Sequence, residues 1–165
     1  MRATSRTCGT LIIELSGMVS VDEHSAGAVV FRDGADGRRY LLLQNGGRWD
    51  FPKGNREEGE GELQTVLREV AEETGLTDVS VIPGFRKVIE YFYRRGGKDV
   101  HKQVIYLLAS TNSENIKISF EHQGFAWFSF SDAIKRASYD NSKMTLKEAD
   151  GFLRGKGPDG AADQY

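Results

Sequence analysis

A layered domain of the α/β or α+β class is what this 165-residue chain predicts, and three observations carry the prediction. Short β-rich runs recur between glycine-containing turns. One segment carries apolar residues at helical spacing. The length suits a single core rather than two. In order, Thr10 to Leu15 reads as a strand within a polar lead-in of 24 residues, and Ser25 to Phe31 as a buried, small and β-branched strand. Asp33-Gly34 and Asp36-Gly37 mark a turn into the strand Arg39 to Gln44, which Asn45-Gly46-Gly47 closes. An acidic loop through Gly59 leads to a helix over Glu60 to Thr74. Its apolar stripe is Leu63, Val66, Leu67 and Val70, and Gly75 is placed to end it. Val79 to Pro83 and Phe85 to Tyr93 read as strands, with Gly96-Gly97 turning the chain into His101 to Ala109. Gly124 to Phe130 is a further strand. Ser131 or Asp132 is placed to cap a short helix through Ala137, and a last helix covers Ser142 to Leu153. The expected organisation is an N-terminal extension (1–24), one domain (25–154) and a flexible tail (155–165).

Composition narrows the function. Acidic residues number 24 and basic residues 22, for a net charge of −2, which argues against a bulk nucleic-acid coat or a polybasic membrane anchor. The single cysteine, Cys8, excludes an internal disulfide framework and a multi-cysteine zinc site. The longest apolar run, Val104 to Ala109, falls far short of the roughly 20 residues of a membrane span. Glu14 interrupts the apolar Leu11, Ile12 and Ile13, so no secretory signal is expected and the cytoplasm is the expected location. His24, His101 and His122 show no metal spacing.

The informative segment is Gly54 to Leu76. Glu69, Glu72 and Glu73 fall at i, i+3 and i+4, so their carboxylates share one face of a helix. Like charges at that spacing repel, and they lie near the C-terminal end, where the helix dipole disfavours them. Local rules broken together mark a functional site. A divalent cation would reverse both penalties, and hard oxygen donors select Mg²⁺ or Mn²⁺, the usual handle on a phosphate substrate. A solvated acidic face is the alternative.

The spacing goes further. Gly54, five residues, Glu60, seven residues, Arg68-Glu69-Val70, one residue, Glu72-Glu73, one residue and Gly75-Leu76 resemble the Nudix box at every fixed position. The resemblance implies a Nudix fold, an α/β/α sandwich around a mixed sheet, and Mg²⁺- or Mn²⁺-dependent hydrolysis of nucleoside diphosphates linked to a further group. It implies that Glu69 and Glu73 are the main metal ligands, with Glu72 and the carbonyl of Lys53 in addition. It casts Arg68 as the group that orients Glu69, and Glu60 as the carboxylate that braces the box loop.

The flanks resemble the subgroup that cleaves diadenosine tetraphosphate asymmetrically. They are Trp49 to Gly54, Gly84 to Lys87 ahead of Tyr91, Lys102 to Tyr106, and Glu121-His122-Gln123-Gly124-Phe125-Ala126-Trp127. That resemblance implies ATP and AMP as products. It also implies a ring clamp for adenine made by Tyr91 and Phe125, and Glu121 as a further metal ligand or general base. Phe120 stands beside Glu121 where a polar residue is common in the subgroup. Charge agrees with a polyphosphate. Gly54 to Leu76 holds seven glutamates against two arginines, whereas Gly84 to Lys102 holds six basic residues against two acids. Lys102 and Tyr106 share one face of a strand and are the phosphate candidates. Two alternatives stay open. One is another Nudix substrate, such as a nucleoside triphosphate, an inositol pyrophosphate or an RNA 5′ end. The other is a non-catalytic nucleotide-binding module, against which the intact Arg68, Glu69, Glu72 and Glu73 speak.

Overall fold

In the computed structural model of the protein, residues 10–15 and 18–155 are described, with side chains described from residue 22 onward. Cys8 and the expected tail beyond residue 155 lie outside the described residues. Eight strands and three helices follow in the order β1 (Thr10–Leu15), β2 (Met18–Gly34), β3 (Gly37–Asn45), β4 (Arg48–Asp50), β5 (Lys53–Asn55), α1 (Glu62–Thr74), β6 (Ser80–Arg95), β7 (Lys98–Ser110), β8 (Gly124–Phe128), α2 (Phe130–Arg136) and α3 (Asp140–Leu153).

Among the described residues one mixed sheet contains all eight of these strands. β4, β3, β2, β7 and β6 follow one another across it, β8 pairs with β3, and β1 and β5 pair with β2. β2 and β7 run parallel from Ser20 opposite Asp99 to Phe31 opposite Ser110, and the other pairings are antiparallel. The strand expected at Ser25 therefore begins earlier, at Met18, and runs unbroken through residue 24. The runs before and after Pro83 are one strand with a register irregularity between Val81 and Arg86. This allows the proline, which has no N–H for the ladder, inside the strand.

Alternate side chains along the strands serve two cores. Val29, Phe31, Tyr40, Leu42, Val104 and Leu108 pack beneath α2 and α3. Ala28, Val30, Leu41 and Leu43 pack beneath Val66 and Val70 of α1. Helices thus cover both faces, as the expected α/β/α sandwich requires. The stripe of α1 is corrected. Val66 and Val70 are fully buried, but Leu63 is 49% and Leu67 40% exposed, while Thr65, Glu73 and Thr74 are buried. The helix is rolled so that Glu73 reaches the backbone of β5, and this roll carries the two leucines to the rim. The cap of α2 is corrected as well. Ser129 occupies it, and its hydroxyl accepts a hydrogen bond from the Asp132 N–H.

The fold leaves one opening in the sheet that matters for function. β2 and β3 pair only from Phe31 to Gly34, and below that they part. The segment from Arg48 to Asn55 fills the gap, with β4 bonded to β3 and β5 bonded to β2. Gly27 permits this wedge, because a Cβ there would lie 2.3 Å from the Pro52 carbonyl oxygen. The wedge delivers Lys53, Gly54 and Asn55 to the acidic face of α1.

Candidate active site

Gly54 lies directly beneath Glu69. A Cβ at residue 54 would sit 2.0 Å from the Glu69 carboxyl carbon, so only glycine leaves room for the carboxylate there. Arg68 ties this face together. Its Nε and Nη2 donate to the two oxygens of Glu60 at 2.6 and 3.0 Å, and Nη2 also donates to the Asn55 carbonyl at 2.9 Å. Nη1 donates to Glu69 at 2.7 Å and to Glu72 at 3.1 Å. A forked guanidinium of this kind fixes carboxylate position as well as charge. Glu60 precedes α1 rather than opening it. Held by Arg68, the Glu57 N–H and the Thr65 hydroxyl, its carboxyl falls to about 2.

Glu69 and Glu73 behave in the opposite way. Burial pushes Glu73 up to about 8, with the Glu69 and Glu121 charges adding to the effect, although the Lys53 N–H donates to it at 3.0 Å. Burial also raises Glu69, against the opposing pull of Arg68, and Glu72 and Glu121 raise it further. Both acids line a cavity of about 1240 Å³ together with Lys53, Arg68, Glu72, Lys102, Phe120, Glu121 and His122. Glu121 reaches this cavity from the tip of a turn, Ser119 to His122, closed by the His122 N–H donating to the Ser119 carbonyl. His122 lies 3.9 Å from Glu73, and burial lowers its pKa. Among the described residues no three acidic, histidine or cysteine side chains are already gathered as a metal-ligand set. Glu69 is turned onto Arg68, and Glu73 onto the Lys53 amide.

The basic side of the cavity is organised separately. The Lys102 ammonium donates to Asn55 at 2.7 Å and to Glu23 at 3.2 Å. Glu23 also accepts from Tyr93 at 2.8 Å and pairs with Arg95. Burial lowers Lys102 in spite of Glu23. Burial also opposes the charge of Lys53, yet Asp50, 2.8 Å from its ammonium, keeps it above the usual lysine value.

Beyond these lysines a second cavity of about 440 Å³ opens on the α3 side of the sheet. Tyr91 and Tyr139, 40% and 41% exposed, line it, with Tyr93 beside Tyr91 at a ring separation of 6.1 Å. Arg48 holds Tyr139 through a 3.1 Å hydrogen bond to its hydroxyl. The two cavities meet at Arg48, Asp50, Lys53, Lys102 and Tyr139.

Residues 23–147 match the model of the NUDIX domain. The chain belongs to the Nudix family. It is 38% identical over 121 residues to the asymmetrical bis(5′-nucleosyl)-tetraphosphatase of Mus musculus, covering 69% of this chain and 80% of the relative. The Caenorhabditis elegans enzyme of the same name is 35% identical over 135 residues, 79% of this chain and 96% of that one. A crystal structure of a C. elegans Ap4A hydrolase binary complex superposes with a TM-score of 0.72 at 34% identity, covering 81% of this chain and 98% of that chain.

Within this Nudix site, two expected positions are corrected. Phe125 cannot clamp a base against Tyr91. It lies on β8, beyond β3, while Tyr91 lies on β6, so β3, β2 and β7 stand between them. Four strand spacings amount to about 19 Å, far more than the two stacking distances of a base sandwich. Tyr106 shares its strand face with Lys102 but is 1% exposed and packs edge-on against Phe51 at 5.3 Å. It floors the second cavity and does not line the acidic one. Glu69, Glu72, Glu73, Lys53, Arg68, Glu121 and Lys102 do meet around one cavity. Tyr139 and Arg48 escaped the sequence reading. Tyr139 sits in the short link between α2 and α3, where no periodicity marks it; the Arg48-Trp49 pair at the start of the wedge is the available signal.

Proposed function

We propose that this Nudix protein hydrolyses dinucleoside polyphosphates, diadenosine tetraphosphate in particular, to ATP and AMP with the help of Mg²⁺ or Mn²⁺. The observation that carries the proposal is the shared lip. An acidic cavity and an aromatic cleft open into one another across two lysines.

The donor set fits a divalent cation. Glu69 and Glu73 are hard oxygen donors facing one cavity, and burial together with neighbouring carboxylates raises both. Glu69, Glu72, Glu73 and the Lys53 carbonyl would hold the ion, with Glu121 within reach of the same charges. Bound there, a divalent cation would supply Lewis acidity toward phosphoryl oxygens and toward the attacking water. Arg68 fixes the position of the Glu69 carboxylate at the cavity wall. Glu69 or Glu121 accepts the proton of the attacking water. Lys102 and Lys53 neutralise the phosphate chain where it crosses from cleft to cavity. Tyr91 and Tyr139 receive one adenine between them, and stacking of this kind is worth about 1–3 kcal/mol per base.

Anchoring one adenine in the cleft fixes the distance from the ring to the attacked phosphorus. A lopsided site of this kind supports an off-centre cut, with water attacking the phosphorus that ends in AMP and ATP leaving. Chromatography of the first turnovers tests it. Equal AMP and ATP is the expected result, with label from ¹⁸O-water in AMP alone. ADP as the sole primary product would refute it.

A further inference from the structure

Phe120 is 97% exposed and sits beside Glu121 at the tip of the Ser119 to His122 turn. The turn is pinned at both ends. The Ser119 N–H donates to the Glu73 carbonyl at 3.3 Å, and the Gln123 N–H donates to the Gln44 carbonyl at 2.8 Å. Inside it, the Ser119 hydroxyl and His122 Nδ1 are 3.0 Å apart. Just upstream, the Lys117 N–H donates to the Thr74 carbonyl at 2.9 Å. The ring is therefore presented on a braced backbone, and its exposure means that core packing does not account for it. Single exposed apolar side chains are ordinary on protein surfaces. This one lines the cavity of Glu69 and Glu73 and takes no part in the aromatic cleft. The two aromatic sites also lie on opposite faces. The cleft opens beneath α3, whereas the turn hangs from the last turn of α1.

We propose that Phe120 is the stacking platform for the second base of a dinucleoside polyphosphate, an inference that rests on the function proposed above. One base enters between Tyr91 and Tyr139. The phosphates cross Lys102, Lys53 and the acidic wall. The departing nucleotide then emerges over the sheet edge at the Ser119 to His122 turn, where a flat apolar surface awaits its base. Because one face of one ring is offered, stacking there tolerates any base. Phe120 thus favours substrates with a nucleoside at both ends over those that end in bare phosphate.

The test compares two ligands that differ only at that end. For Phe120→Ala and the wild type, the KM of diadenosine tetraphosphate is measured alongside the inhibition constant of adenosine 5′-tetraphosphate as a competitor. The variant should raise the KM by about five- to twentyfold, leave kcat nearly unchanged and leave the inhibition constant unchanged. Phe120→Trp should restore or lower the KM. Equal effects on both ligands, or an unaltered KM, would overturn the subsite. If the wild-type protein does not turn over the dinucleotide at all, the functional reading falls. If it does and Phe120→Ala behaves like the wild type, the subsite alone falls.

Discussion

The two walls of the cavity treat charge differently. On the basic wall each ammonium has its counter-charge in place, Lys102 with Glu23 and Lys53 with Asp50, and Asp50 is itself held by Ser142 and the Phe51 N–H. On the acidic wall Arg68 satisfies Glu60, but Glu69 and Glu73 are left above their ordinary values. The basic wall is thus already assembled, and on the function proposed above a phosphate would meet it with little reorganisation. The acidic wall is assembled except for one positive charge. That deficit is what the proposed cation would fill.

The strongest way to break this contrast is Glu69→Gln, which removes charge with little change of volume. It should lower kcat on diadenosine tetraphosphate by about 10²–10⁴-fold while leaving the circular dichroism spectrum unchanged. Near-normal turnover would mean that the acidic wall is only a solvated face. The cleft comes next. Tyr139→Ala and Tyr91→Ala should each raise KM by about 5- to 100-fold, with smaller changes in kcat, whereas Phe125→Ala should leave KM within about twofold. A KM defect in the Phe125 variant equal to that of Tyr139→Ala would restore the pair expected from sequence.

A smaller effect concerns pH and separates the walls directly. Glu73 titrates near 8 in the folded chain against 4.5 for a free carboxyl, so the folded state binds the proton more tightly. Its contribution to stability is full below pH 4.5 and is lost as the pH rises through about 8. In EDTA the melting temperature of the wild type should fall relative to that of Glu73→Gln across this window, and Mg²⁺ should remove the difference. A gap that widens in favour of the wild type as pH rises would contradict the assignment. The smallest effect is expected from deleting residues 1–17. The deletion removes β1 and keeps Glu23, so kcat should stay within about twofold. We propose that this leader lies outside the catalytic domain; loss of turnover in the soluble deletion would place it inside.

The acidic wall was legible in the sequence because its residues sit on one helix, where spacing is geometry. Glu69 and Glu73 are one turn apart whatever the rest of the fold does. The roll of that helix was not legible. Leu63 and Leu67 satisfy the same periodicity as Val66 and Val70, and contacts from distant segments, such as the bond from the Lys53 N–H to Glu73, accompany the choice of covered flank. The cleft was half legible for a related reason. Tyr91 lies on a strand whose partner, β7, follows it in the chain, but its companion depends on strand order across the whole sheet. Phe125 and Tyr139 are only fourteen positions apart. The edge pairing of β8 takes one away from Tyr91, and the link after α2 brings the other back. Tyr106 illustrates a third limit. Strand alternation gave it the right face, yet depth within that face comes from Phe51 and the wedge, which no local pattern reveals.

The wedge also has a consequence for redesign. Trp49 and Ser138 exchange two hydrogen bonds, and Arg48 holds Tyr139, so one wall of the aromatic cleft hangs from the residues that lead straight to Lys53 and Gly54. Changes near Arg48 will therefore be inherited by the phosphate chemistry, whether or not the engineer wants it. Tyr91 has no tie to residues 48–55: it borders the cleft from β6, opposite Lys102 on β7, and takes no part in the acidic cavity. A programme to retune base preference while keeping the hydrolytic machinery would start its libraries at the Tyr91 wall and hold residues 48–55 constant.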